Sequence, residues 1–197
     1  MDSYRTFVAL ELPRAVRAKV IEHIEQLRRI VPEARASWTR EHNLHLTLKF
    51  LGNVPVAEIP KLSDAIERAV TGISRFELTV AGCGVFPPKG KPNVLWIGIS
   101  EPPAVAGGRT DGLRILHERI EDECAAADFP REQRAFHPHL TIARLRKTGG
   151  ERRLGEAHQS FEFPSETFSI YEVIVFKSEL LREGSKHTPI SRHDLHQ

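Results

Sequence analysis

His45-Leu46-Thr47-Leu48-Lys49-Phe50-Leu51 and His139-Leu140-Thr141-Ile142-Ala143-Arg144-Leu145 are two versions of one phrase, about half a chain length apart. Each starts His-Leu-Thr-aliphatic and each reads as a β-strand. Side chains alternate faces along a strand, so residues i and i+2 point the same way. His45 and Thr47 therefore share one face, while Leu46 and Leu48 share the other, toward a core. His139 and Thr141 stand in the same relation to Leu140 and Ile142. An internal repeat of this kind predicts two similar lobes, each offering one His-x-Thr strand. Set side by side, the two strands would bring two imidazoles and two hydroxyls into one cleft.

That set of groups suits a phosphodiester. Thr hydroxyls donate hydrogen bonds to nonbridging oxygens. One imidazole can take a proton from water while the other gives one to the leaving oxygen, and the pKa of histidine lies near neutrality for both tasks. The scheme needs no metal and no cofactor. His42 with His45, and His137 with His139, are the spacings that a zinc reading would use. No Cys or carboxylate stands at ligand spacing beside them, so the expected metal set is none.

The rest of the chain sets bounds. It has 197 residues, with 40% hydrophobic and 27% charged, values of an ordinary globular protein rather than a fibrous or disordered one. Length fits one domain, or two small lobes around one cleft, over residues 1–197. Net charge is +2 with histidines neutral, too small to argue for nucleic acid by itself. The two cysteines, Cys83 and Cys124, cannot build a disulfide framework and read as small buried hydrophobes. Nowhere do about 18 apolar residues run together, and the polar start Met1-Asp2-Ser3-Tyr4-Arg5 lacks a signal-peptide pattern. A cytoplasmic monomer is the default expectation.

Periodicity predicts a strand over 5–12, a helix from Pro13 to Pro32 and a short strand over 37–40. It then predicts the first His strand, stopped at Gly52-Asn53, and a helix after Pro55. Strands follow over 76–80 and 94–99, and a third helix runs from Leu113 to Cys124. The second His strand spans 139–145, and further strands involve Phe161, Phe163, Phe168, Ile170, Val173, Val175 and Phe176. Residues 101–112 read as a connector and 148–156 as a charged connection. The tail after Ser191 reads as frayed, with His193 and His196 in solvent. Interleaved helices and strands give an α+β or mixed class.

With Arg5-Thr6-Phe7-Val8-Ala9-Leu10, Trp38, Gly84-Val85-Phe86-Pro87, Leu95-Trp96, Phe136-His137-Pro138 and Ser178-Glu179-Leu180 around the two phrases, the chain resembles the two-histidine phosphoesterases. It is most similar to the RNA 2',3'-cyclic phosphodiesterases, the 2'-5' RNA ligase-like family. The resemblance implies an α+β, bilobal fold with two pseudo-symmetric lobes of antiparallel strands and flanking helices around a central cleft. It implies hydrolysis of a terminal RNA 2',3'-cyclic phosphate to a 2'-phosphate. His45 would be the general acid and His139 the general base, with Thr47 and Thr141 on the phosphate. Arg144 matches a basic position of the family, although strict alternation puts it on the face away from His139. Lys49 has the right parity for a phosphate contact. Phe86 is the leading candidate to stack on a base, ahead of Phe7, Trp38 and Trp96. His42 and the Gly184–His187 segment depart from the family pattern. The other readings are a 2'-5' RNA ligase, a phosphodiesterase for a 2'-5' oligonucleotide or ADP-ribose cyclic phosphate, and a noncatalytic RNA-end binder.

Overall fold

The computed structural model describes residues 2–103, 111–146, 149–181 and 184–196. Strand β1 (Ser3–Glu11) is buried from Phe7 to Leu10 and leads through Pro13 into α1 (Arg14–Ile30). Proline costs nothing at that cap, because the first N–H groups of a helix lack partners within it. Val16, Val20, Ile24 and Leu27 form the buried stripe of α1. Next come β2 (Ala36–Trp38), a 3-10 turn (Glu41–Asn43), β3 (His45–Pro55) and a second 3-10 turn (Val56–Glu58), then α2 (Ile59–Val70). The chain continues with β4 (Phe76–Phe86), β5 (Val94–Ser100), α3 (Gly112–Ala126), β6 (His139–Leu145), α4 (Glu151–Ser160), β7 (Glu166–Ile170), β8 (Glu172–Leu181) and β9 (Gly184–Asp194).

Two sheets carry these strands, in the orders β3-β1-β8-β9 and β2-β6-β5-β4-β7. Every pairing between named strands is antiparallel. Each sheet owns one His-Leu-Thr strand, as the repeat predicts. The strands do not pair with each other, however: β3 is an edge strand of the first sheet, β6 is an interior strand of the second, and they run close where the sheets meet. Helices α2 and α3 pack on the first sheet and α4 on the second, with α1 against α4 and reaching that sheet through His23 to Cys83 and Lys19 to Glu166. One buried apolar cluster, including Leu10, Ile24, Leu46, Leu62, Leu95 and Leu140, runs beneath both sheets. None of the described helices is long and apolar enough to cross a membrane.

Four expectations change. Strand β3 does not stop at Gly52-Asn53; Gly52 takes φ +71 and the strand continues beside a register shift. The charged stretch read as a connection contains α4, whose inward residues are Leu154, Gly155 and His158 rather than an apolar stripe. Gly155 is required there, since a Cβ would lie 2.9 Å from a Pro92 ring carbon. Phe161 and Phe163 lie outside strands. The tail is not frayed: His193 is buried, its Nδ1 2.7 Å from Glu67, and Leu195 is 2% exposed, although His196 does face solvent. Most of the expected connector over 101–112 lies outside the described residues.

Candidate active site

Both His strands contain a β-bulge at the same place. In the β1–β3 ladder, Ala9 faces Thr47 and Val8 faces Lys49, so Leu48 is the extra residue. In the β5–β6 ladder, Trp96 faces Thr141 and Leu95 faces Ala143, so Ile142 is extra. A bulge shifts the alternation by one. Leu48 and Lys49 both turn to the core, as do Ile142 and Ala143, and the sixth residue of each phrase returns to the His face. Arg144 therefore joins His139 and Thr141, opposite Val94, Trp96 and Gly98, which removes the parity objection to it. In β6 the carbonyls at the bulge are not left bare. Thr39 donates its backbone N–H to Ile142 O (2.9 Å) and its hydroxyl to Thr141 O (2.8 Å).

The same bulge overturns the parity argument for Lys49. Its side chain is fully buried, with Nζ 2.8 Å from Glu121 Oε2 and 2.8 Å from Pro130 O. Lys49 fastens β3 to α3 and cannot reach a ligand. Phe50, which the sequence reading passes over, takes the open position on the first strand, 58% exposed. It is the counterpart of Arg144.

The histidines are held alike. His45 Nδ1 lies 2.7 Å from Asn43 O, and His139 Nδ1 lies 2.6 Å from His137 O. A carbonyl only accepts, so each Nδ1 carries a proton and each neutral ring keeps its Nε2 lone pair available. Asn43 is itself fixed by donation of its side-chain N–H to Ser185 O at 2.8 Å.

Their surroundings differ. His45 stacks on Phe7 (ring centroids 4.8 Å), which stacks in turn on Phe176 (5.2 Å), and His187 meets His45 edge-on at 5.3 Å. Burial, then the neighbouring His187, push the His45 pKa down to about 4, against the opposing effect of the Asn43 carbonyl. Phe7 is 3% exposed and serves as the floor under His45, so it is not open to a base. On the other side, His139 meets the edge of Phe86 at 5.2 Å and Trp96 at 6.3 Å. Phe86, Trp96, His137, Pro138 and His139 line a hollow of about 170 Å³. Trp96 lies flat over Gly84, where a Cβ would fall 2.1 Å from the indole. Only glycine allows that ring to lie there.

Sequence reasoning also passes over His187 as a neighbour of His45. Its position in β9, far along the chain, left no local signal. The structure thus gathers His45, Thr47 and Phe50 on one sheet, and His139, Thr141, Arg144 and Phe86 on the other, on faces that none of the described helices covers.

The sequence profile of the 2'-5' RNA ligase superfamily matches residues 13–180. An RNA 2',3'-cyclic phosphodiesterase of Thermotoga maritima is 35% identical over 142 residues, covering 72% of this chain and 70% of that protein. One of Escherichia coli K12 is 28% identical across 100% of this chain and 99% of that protein. The crystal structure of E. coli LigT complexed with 3'-AMP superposes with a TM-score of 0.73 at 27% identity, with both chains fully covered. Duplicated His-x-Thr strands, paired bulges and a profile match over most of the chain lead to one conclusion: the chain belongs to the 2'-5' RNA ligase superfamily.

Proposed function

We propose that the protein hydrolyses a terminal RNA 2',3'-cyclic phosphate to a 2'-phosphate by proton transfer between His45 and His139. The observation that carries this is the matched fixing of two imidazoles, each Nδ1 on the carbonyl two residues upstream and each Nε2 left for chemistry. Its relatives bear the name of this activity. The chain acts as one bilobal unit, and the cyclic phosphate sits between the two uncovered faces.

Thr47 and Thr141 donate to the nonbridging oxygens. His139 takes a proton from water, which attacks phosphorus as the 3' oxygen departs, and His45 gives that oxygen a proton. In the empty site His45 is neutral near pH 7, so its proton is acquired as the anionic phosphate enters, since a nearby opposite charge favours the imidazolium. Arg144 is always charged and meets the phosphate as a fork of donors. Phe86 and the exposed Phe50 supply aromatic faces for a base.

The test uses a short RNA ending in a 2',3'-cyclic phosphate, incubated with the protein and EDTA, with chromatographic separation of products. A 2'-phosphate is expected. A 3'-phosphate overturns the assigned leaving group, and no turnover overturns the substrate. Arg144→Ala is expected to lower kcat/KM about 10–100-fold, the usual worth of hydrogen bonds to a charged group. Unchanged kinetics would remove Arg144 from the site.

A further inference from the structure

Another bulge lies in β4, and it faces the other way. Ala81 pairs with Gly98 and Cys83 with Ile97, so Gly82 is the extra residue, at φ +74. Without it Cys83 would stand opposite Trp96, on the face of His139. With it, Cys83 points to the face covered by α1 and α4. There it meets His23 from α1 and His158 from α4.

The three side chains converge on their metal-binding atoms. His23 Nε2 lies 3.0 Å from His158 Nδ1 and 3.9 Å from Cys83 Sγ, and all three atoms lie within 4.8 Å of one another. A tetrahedral zinc holds nitrogen at about 2.0–2.1 Å and sulfur at about 2.3 Å. Those bond lengths set nitrogens about 3.3 Å apart and nitrogen and sulfur about 3.6 Å apart. The two spacings from His23, 3.0 and 3.9 Å, lie within a few tenths of an ångström of these values, and closure of the third pair is left to rotation of the Cys83 side chain.

The outer contacts suit a metal as well. His158 Nε2 lies 2.9 Å from Trp96 O, so that nitrogen carries the proton and Nδ1 turns its lone pair inward. Rings of Phe161 and Phe163 stand edge-on to His23 at 5.4 and 5.7 Å and wall the cluster with apolar surface. Cys83 borders a surface hollow of about 820 Å³ that also touches Gln159, Phe161 and Glu162. That opening offers a route for an ion and room for water as a fourth ligand.

We propose that His23, Cys83 and His158 bind a thiophilic divalent cation, zinc by preference, with water as the fourth ligand. On binding, the Cys83 thiol releases its proton to solvent and becomes the thiolate ligand. His23 shifts its proton from Nε2 to Nδ1, so one proton leaves for each ion bound. The ion would pin α1 and α4 to β4, behind the strand that supplies Trp96. It takes no part in hydrolysis, because it lies on the face of the sheet away from His139.

Cobalt titration of the EDTA-treated and dialysed full chain tests the site. A thiolate-to-cobalt band in the near ultraviolet is expected to saturate at one equivalent, and zinc is expected to bleach it. Cys83→Ser should lose the band with far-UV circular dichroism unchanged, and Cys124→Ser should keep it. If Cys83→Ser fails to fold, Cys83→Ala serves in its place. As a second readout, one equivalent of zinc should raise the Tm of the wild-type chain and leave that of the Cys83 variant unmoved. No band in the wild type, or a band that survives loss of Cys83, overturns the proposal.

Discussion

His45→Ala and His139→Ala are each expected to slow hydrolysis of the cyclic phosphate about 10²–10⁴-fold, the usual worth of a general acid or base. The two losses should respond differently to the leaving group. A phosphodiester whose departing oxygen is already a weak base, such as a nitrophenolate, needs no proton from the enzyme. On that substrate His45→Ala should recover most of its activity while His139→Ala stays impaired. The opposite pattern would exchange the two roles, and full activity of either variant on the RNA would end the two-histidine mechanism.

The pH profile gives a further check of the same pair. The His45 pKa, lowered to about 4, predicts an acid limb of kcat/KM near that pH. As pH falls through it, both imidazoles become charged and no base remains. His187 is one cause of the lowering, so His187→Phe should move the limb upward. An acid limb that stays put in this variant would exclude electrostatic control by His187.

Glu121→Ala is expected to cost about 3–5 kcal/mol, the usual penalty for a buried charge left without its partner. Lys49 Nζ would keep only the Pro130 carbonyl. Against a total stability of about 5–15 kcal/mol, that is a large share. Glu121 Oε2 also accepts the Glu132 N–H at 3.1 Å, so the loop after α3 loosens too. The double change Lys49→Met with Glu121→Leu should restore or exceed wild-type stability, because desolvation of the pair offsets much of its attraction. Urea unfolding with an unchanged m-value measures both. A loss under about 1 kcal/mol in the single variant would mean that water reaches Lys49 and relieves the charge.

The sequence made the two His strands legible because a period of two places His, Thr and the aliphatic residues without any tertiary knowledge. The α1 stripe was legible for the same kind of reason, with Val16, Val20, Ile24 and Leu27 at helical spacing. What escaped was whatever departed from a simple period. Leu48-Lys49 and Ile142-Ala143 contain no turn residue to announce a bulge, and so Lys49 was assigned to the wrong face and Arg144 to a doubtful one. Helix α4 hid because its buried side presents Gly155 and His158, which carry no hydropathy signal. Cys83 read as a plain hydrophobe, since His23 and His158 reach it only through the packing of two helices that are far apart in the chain.

The paired bulges have a directional consequence. A frame with near-twofold symmetry would accept a nucleotide strand in either sense, because exchanging the two phrases would leave its His and Thr donors alike. The sixth residue of each phrase breaks that equivalence, with an aromatic ring on one side and a guanidinium on the other. On the proposed function, this difference adds to the unequal surroundings of His45 and His139, and it would let the site tell which way an entering chain end is facing.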